Sequence, residues 1–158
     1  MSGPPPLVRA LIRAGVSSFQ SLRRAVWFVT RPEARGVHAV PLTPEGHVVL
    51  LRLTYAKGWR LPGGGLKRGE NPREAILREL REEIGLQTHM ALDDLGEFHH
   101  RPDFRRGVAE VFLVRGATYA PPAWSLEVEE VRAFPPEALP PDLPAVTAHQ
   151  LRMAGLLP

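Results

Sequence analysis

Residues 64–86 read GGLKRGENPREAILRELREEIGL. Asn71-Pro72 opens a helix: Asn is a good N-cap, Pro suits the first helical position, and Glu74 completes a capping-box pattern. Gly85 stands where such a helix stops, in the left-handed position after its last turn. Ile76, Leu80 and Ile84 repeat every four residues, with Leu77 beside them, and form an apolar stripe. Glu79, Glu82 and Glu83 form a second stripe, centred roughly 120° around the helix from the first. Residues spaced i, i+3 and i+4 are neighbours on a helix surface, so the three carboxylates lie together and repel. A hard divalent cation, which prefers oxygen ligands, gives them a reason to be gathered. The Gly63-Gly64-Gly65 turn just upstream lets backbone approach a metal or a phosphate closely. The alternative is a solvated acidic face laced by pairs with Arg73, Arg78 and Arg81. The full spacing and the glycine turn outweigh it.

That spacing runs Gly64, five residues, Glu70, seven residues, Arg78-Glu79-Leu80, one residue, Glu82-Glu83, one residue, Gly85-Leu86. It resembles the box of the Nudix (MutT-like) hydrolase family at all nine fixed positions. The resemblance implies a mixed α/β (α+β) fold, an α/β/α sandwich around a mixed β-sheet. It also implies metal-dependent hydrolysis of a nucleoside diphosphate linked to another moiety, such as a nucleotide sugar, a dinucleotide or an NTP. The implied cofactor is Mg²⁺, with Mn²⁺ as substitute. Glu79, Glu82 and Glu83 are implied metal ligands, joined by the Gly63 carbonyl. Glu70 is implied as a supporting carboxylate, and Arg78 as the residue that orients the glutamates. The box does not fix the general base: Glu82 is the first choice, with Glu110, Glu127, Glu129 and Glu130 open. Gly64 and Gly65, with Arg52 and Arg60 beside the glycine turn, are the expected substrate contacts. As lone charged residues the two arginines fit a solvent-facing role equally well.

Outward from the box, residues 36–43 and 47–54 read as two strands joined by the Pro44-Glu45-Gly46 turn, a hairpin. Tyr55–Arg60 reads as a loop, in which Trp59 is a core anchor rather than a base-stacking residue. Residues 92–99 and 108–115 read as strands, as does part of 125–134, whose EVEEVRAF resembles a late acidic strand of the family. Between the first two lies HHRPDFRRG, residues 99–107, either a phosphate- and base-contacting loop or an ordinary solvated one. A Pro-rich loop spans 116–124, and a helix from about 142 to 155 closes the chain. Upstream, Leu7 to about Arg24 has apolar residues at helical spacing with Arg9, Arg13, Arg23 and Arg24 around them. It is read as a membrane-surface or partner helix, or as one that caps the core or makes a homodimer contact. Residues 1–30 are accordingly an extension and 31–158 the catalytic domain.

At 158 residues with 44% hydrophobic content, the chain suits one domain with a real core. It has no cysteine, which excludes disulfides, Cys-ligated zinc and thiol nucleophiles and fits the cytoplasm. Arg9 and Arg13 interrupt the first apolar stretch, so no signal peptide is expected. No uncharged run is long enough to cross a bilayer. The net charge of +3 favours phosphate-rich ligands and extends to RNA 5′ ends. Two further readings therefore stand beside hydrolysis of a nucleotide derivative. One is a non-catalytic nucleotide sensor, a class that typically loses box carboxylates. The other is an RNA 5′-pyrophosphohydrolase. An isoprenyl-diphosphate isomerase is remote, because the chain lacks the Cys of that chemistry.

Overall fold

The computed structural model describes residues 34–100 and 107–158. The N-terminal extension, where a helix is expected, and most of the HHRPDFRRG stretch lie outside the described residues. Strands β1 (Ala34–Pro41), β2 (Val48–Leu53), β3 (Ala56–Arg60) and β4 (Gly63–Gly65) precede helix α1 (Pro72–Ile84). Then follow β5 (Leu86–Thr88), β6 (Ala91–His100), β7 (Gly107–Arg115), β8 (Thr118–Tyr119), β9 (Val128–Phe134) and helix α2 (Ala145–Met153).

The strands form a mixed sheet in the order β4-β1-β7-β6, a second in the order β3-β2-β9, and a small β5-β8 pair. Among the described residues, only the β1–β7 pairing is parallel. Alternation along the strands sorts side chains onto two faces. Val37 and Ala39 of β1, Val49 and Leu51 of β2, and Phe112 and Val114 of β7 face one core, with Ala75, Ile76, Leu80 and Ile84 of α1. Val40, Val48, Leu50, Val111 and Leu113 face the other, with Leu151 of α2. The helices thus cover opposite faces, which is the expected sandwich. Each large side chain buried this way contributes about 1.5–3 kcal/mol.

Three local expectations are corrected. Residues 36–43 and 47–54 do form strands, but not a hairpin. They meet at a single bridge, Leu42 to Val48. The edges of β1 are taken by β4 and β7, and those of β2 by β3 and β9, so the turn at Gly46 carries the chain between sheets. Tyr55–Arg60 is largely strand β3, not loop. Its Lys57-Gly58 pair lacks strand propensity, but Trp59 is buried against Phe134, edge to face at 4.8 Å, and anchors it. The Pro-rich stretch 116–124 contains β8, whose two residues pair with β5.

Helix α1 has the Asn71 cap and the Gly85 stop that the sequence specifies. The Asn71 side chain accepts from Arg73 N at 2.9 Å, Pro72 occupies the first turn, and Gly85 closes the helix at φ 67°. Among the described residues, no helix is long and apolar enough to cross a membrane.

Candidate active site

Strand β4 is three glycines laid antiparallel to β1, with Gly63 opposite His38 and Gly65 opposite Gly36. This brings the glycine turn against the acidic stripe of α1. A Cβ on Gly64 would fall 2.5 Å from the Glu79 carboxyl carbon, so a side chain there would push the Glu79 carboxylate from its place. The Gly63 N–H donates to Glu83 Oε2 at 2.8 Å. The last two glutamates of the box, Glu82 and Glu83, point differently. Glu82 is 60% exposed, while Glu83 turns in toward β4.

Arg78 organises the cluster. Its Nε and Nη2 reach Glu70 Oε1 and Oε2 at 2.8 and 3.0 Å, a two-pronged grip. Its Nη1 donates to Glu79 Oε1 at 2.6 Å and stands 3.7 Å from Glu82 Oε2. Its Nη2 also reaches the Gly65 carbonyl, at 3.4 Å. The fork goes to Glu70, not to Glu74 one turn before Arg78 on α1. Glu70 is presented by its own turn, where its Oε2 accepts from Lys67 N at 2.9 Å. The Arg78 hydrogen bonds, helped by the Lys67 N–H, hold the Glu70 carboxyl down at about 2.

Glu83 is pushed the other way. Burial raises its carboxyl to about 8 against the pull of the Gly63 N–H, and the nearby charges of Glu79, Glu127 and Glu82 add to the rise. A desolvated carboxylate crowded by others favours an arriving cation. Among the described residues, no three acidic or His side chains converge closely enough to hold a metal ion by themselves. Mg²⁺ binds through one or two carboxylates and keeps waters or substrate phosphates as its other ligands. Glu79 and Glu83 facing one cleft fit that requirement.

The cleft has a volume of 290 Å³ and is lined by Gly63–Gly65, Glu79, Glu83, Glu127, His38 and Arg60, with Leu51, Leu53 and Gln150 among its other walls. Of the open candidates for a base, it takes in Glu127 alone. Glu127 sits just ahead of β9, where its carbonyl accepts from Thr54 N at 2.8 Å. Glu110 lies on β7 opposite Glu97, 3.9 Å from Arg35. Glu130 is paired with Arg132. Glu129 lines a separate, wider groove of 920 Å³, which shares Leu53, Tyr55 and Arg60 with the cleft. Arg60 therefore borders both spaces. Arg52 lines only the outer groove, bonded to Asp142 at 3.2 Å and stacked over Trp59 at 4.7 Å.

Sequence reasoning missed the wall from α2. Thr147 and Gln150 are buried and line the cleft, and Gln150 Nε2 has no hydrogen-bond partner among the described residues. The available signal was a Gln on the same helix face as Leu151, where an aliphatic residue would be expected. His38 was also missed, because one His within an apolar strand carries no pattern.

Comparison with known proteins agrees with this fold. The NUDIX domain profile matches residues 32–154. An RNA pyrophosphohydrolase of Hahella chejuensis is 46% identical over 43 residues, 27% of this chain and 27% of that protein. A protein of Bacillus subtilis described as putative ADP-ribose pyrophosphatase YjhB is 29% identical over 114 residues, 69% of this chain and 54% of its own length. The chain thus spans between about a quarter and about half of these curated relatives. The crystal structure of a MutT NUDIX hydrolase from Burkholderia pseudomallei superposes with a TM-score of 0.67 at 24% identity, covering 77% of this chain and 98% of the other.

Proposed function

The chain belongs to the NUDIX family, and from that premise we propose that it hydrolyses the diphosphate linkage of a nucleoside diphosphate derivative with a divalent metal, Mg²⁺ or Mn²⁺. The observation that carries this reading is Arg78. It grips Glu70 and at the same time positions Glu79 beside the cleft into which Glu83 turns. An orienting arginine and a complete set of carboxylates support hydrolysis over sensing, a class that typically loses box carboxylates.

Glu79 and Glu83, which line the cleft, would hold the cation with the Gly63 carbonyl, joined by the more exposed Glu82 as the resemblance implies. When bound, it would neutralise the diphosphate and lower the pKa of an attacking water. The chain's own residues do the rest. Gly64 and Gly65 offer an approach free of side chains for the phosphate oxygens. Arg78 keeps Glu79 from swinging away. Between Glu82 and Glu127, the cleft lining favours Glu127 as the base that accepts the water's proton, since a base must reach the water first. The products are two phosphorylated fragments, or a nucleotide and pyrophosphate from a triphosphate. The cytoplasm, which supplies nucleotides and Mg²⁺, is the proposed location.

The test is a product-release screen over nucleotide sugars, dinucleotides, NTPs and 5′-triphosphorylated RNA, with Mg²⁺ or Mn²⁺. It is run beside Glu82→Gln and Glu127→Gln. Metal-dependent turnover of one class, lost in a variant, supports hydrolysis. Nucleotide binding without turnover of any class moves the assignment to a sensor.

A further inference from the structure

The cleft that holds the glutamates has 290 Å³ and shares Leu53, Tyr55 and Arg60 with the groove of 920 Å³. Sites for drug-sized ligands run from about 300 to 1,000 Å³. The inner cleft lies at the lower end of that range, so a nucleotide with a group attached to it would fill the cleft and extend past Arg60 toward the outer groove. The charges along that route are unequal in availability. Arg52 gives Nη2 to Asp142 and its face to the Trp59 ring, although its Nε, like that of Arg60, has no hydrogen-bond partner among the described residues. Arg60 and Lys57 have no ion-pair partner among the described residues, and Lys57 is exposed. Arg60 Nε is buried with no hydrogen-bond partner there. A buried donor without an acceptor is unfavourable, and a phosphate oxygen is the acceptor that matches a guanidinium best.

We propose that Arg60 and Lys57 form a subsite for a phosphate lying beyond the cleaved linkage, so that the preferred substrate is a small nucleotide with three or more phosphates in a row. A neutral sugar in the same place would leave both cations unmatched. This rests on the hydrolase reading of the cleft and narrows it to a substrate class.

The experiment compares ADP-ribose, which has two phosphates, with diadenosine tetraphosphate. Steady-state hydrolysis by the full chain in Mg²⁺ is measured for the wild type, Arg60→Gln, Lys57→Ala and the double variant. Circular dichroism checks that each is folded. The wild type should prefer the tetraphosphate. The double substitution should shift the ratio of the two kcat/KM values toward ADP-ribose by about 10-fold to 100-fold, mostly through KM. Equal losses on both compounds, or none, would overturn the subsite. Preference for 5′-triphosphorylated RNA over both would overturn the small-nucleotide assignment. If Arg60→Gln does not fold, the exposed Lys57→Ala carries the test alone. If the wild type hydrolyses neither compound, the wider screen decides the hydrolase reading, and calorimetric binding of the same two compounds decides the subsite separately. Tighter binding of the tetraphosphate that is lost in the variants supports it, and equal binding rejects it.

Discussion

Arg78 holds Glu70 by two hydrogen bonds, Nε at 2.8 Å and Nη2 at 3.0 Å, across a turn of chain and not along a helix face. The fork ties the loop that carries the glycines to the helix that carries the carboxylates. Lysine presents a point charge and cannot make both bonds. Arg78→Lys should therefore raise the Mg²⁺ concentration for half-maximal activity by about 10-fold to 100-fold, the usual cost of losing a group that orients a metal ligand. A metal titration of initial rates reads this directly. An unchanged midpoint would mean that Arg78 does not act through the glutamates.

The same pair sets a pH dependence with a definite sign. The Glu70 carboxyl falls from 4.5 to about 2 on folding. Its contribution to stability is therefore fully present above about pH 4.5 and is lost as pH falls toward 2. Glu70→Gln should be less stable than the wild type at pH 7, and the gap should narrow through that window. Urea unfolding at pH 7, 4 and 2.5 would show it. A gap that stays constant with pH would exclude the ionised pair as its source.

Gly64 touches the Glu79 carboxyl so closely that an added methyl must displace it. Gly64→Ala should cost little stability, because the displaced group is the end of the Glu79 side chain and not packed backbone. It should lower turnover by more than stability explains, because Glu79 is moved. Gly65, where an added Cβ meets nothing within 4 Å, is the control, and Gly65→Ala should be milder on both readouts. Melting temperatures and initial rates on the two variants separate the cases.

Leu80 is fully buried under the sheet, while Leu77 is only partly so. Leu80→Ala should destabilise by about 2–5 kcal/mol, and Leu77→Ala by clearly less. Chemical denaturation measures both.

Much of the site's chemistry was legible because it is local. The cap at Asn71, the stop at Gly85 and the two stripes of α1 all follow from spacing within one helix. What failed was set by partners distant in sequence. The β1–β2 hairpin was a fair reading of two strands around Pro44-Glu45-Gly46. Nothing in those residues announces that β7 claims one edge of β1 and β9 one edge of β2. Strand β3 hid behind Lys57-Gly58, because Trp59 holds it through Phe134, far along the chain. Glu127 could not be told from Glu129 and Glu130 until the start of β9 was fixed to Thr54. Gln150 became visible only once α2 was placed against the cleft.

The most direct test of the central claim is a calorimetric Mn²⁺ titration of the full chain, paired with metal-dependent turnover of the best compound from the screen. Wild type, Glu79→Gln and Glu83→Gln are compared. The account predicts Mn²⁺ binding by the wild type, weakened by about 10-fold or more in each variant together with loss of turnover. Binding and turnover that survive in both variants would contradict it, and would place the chemistry somewhere other than the glutamates beneath the glycine turn.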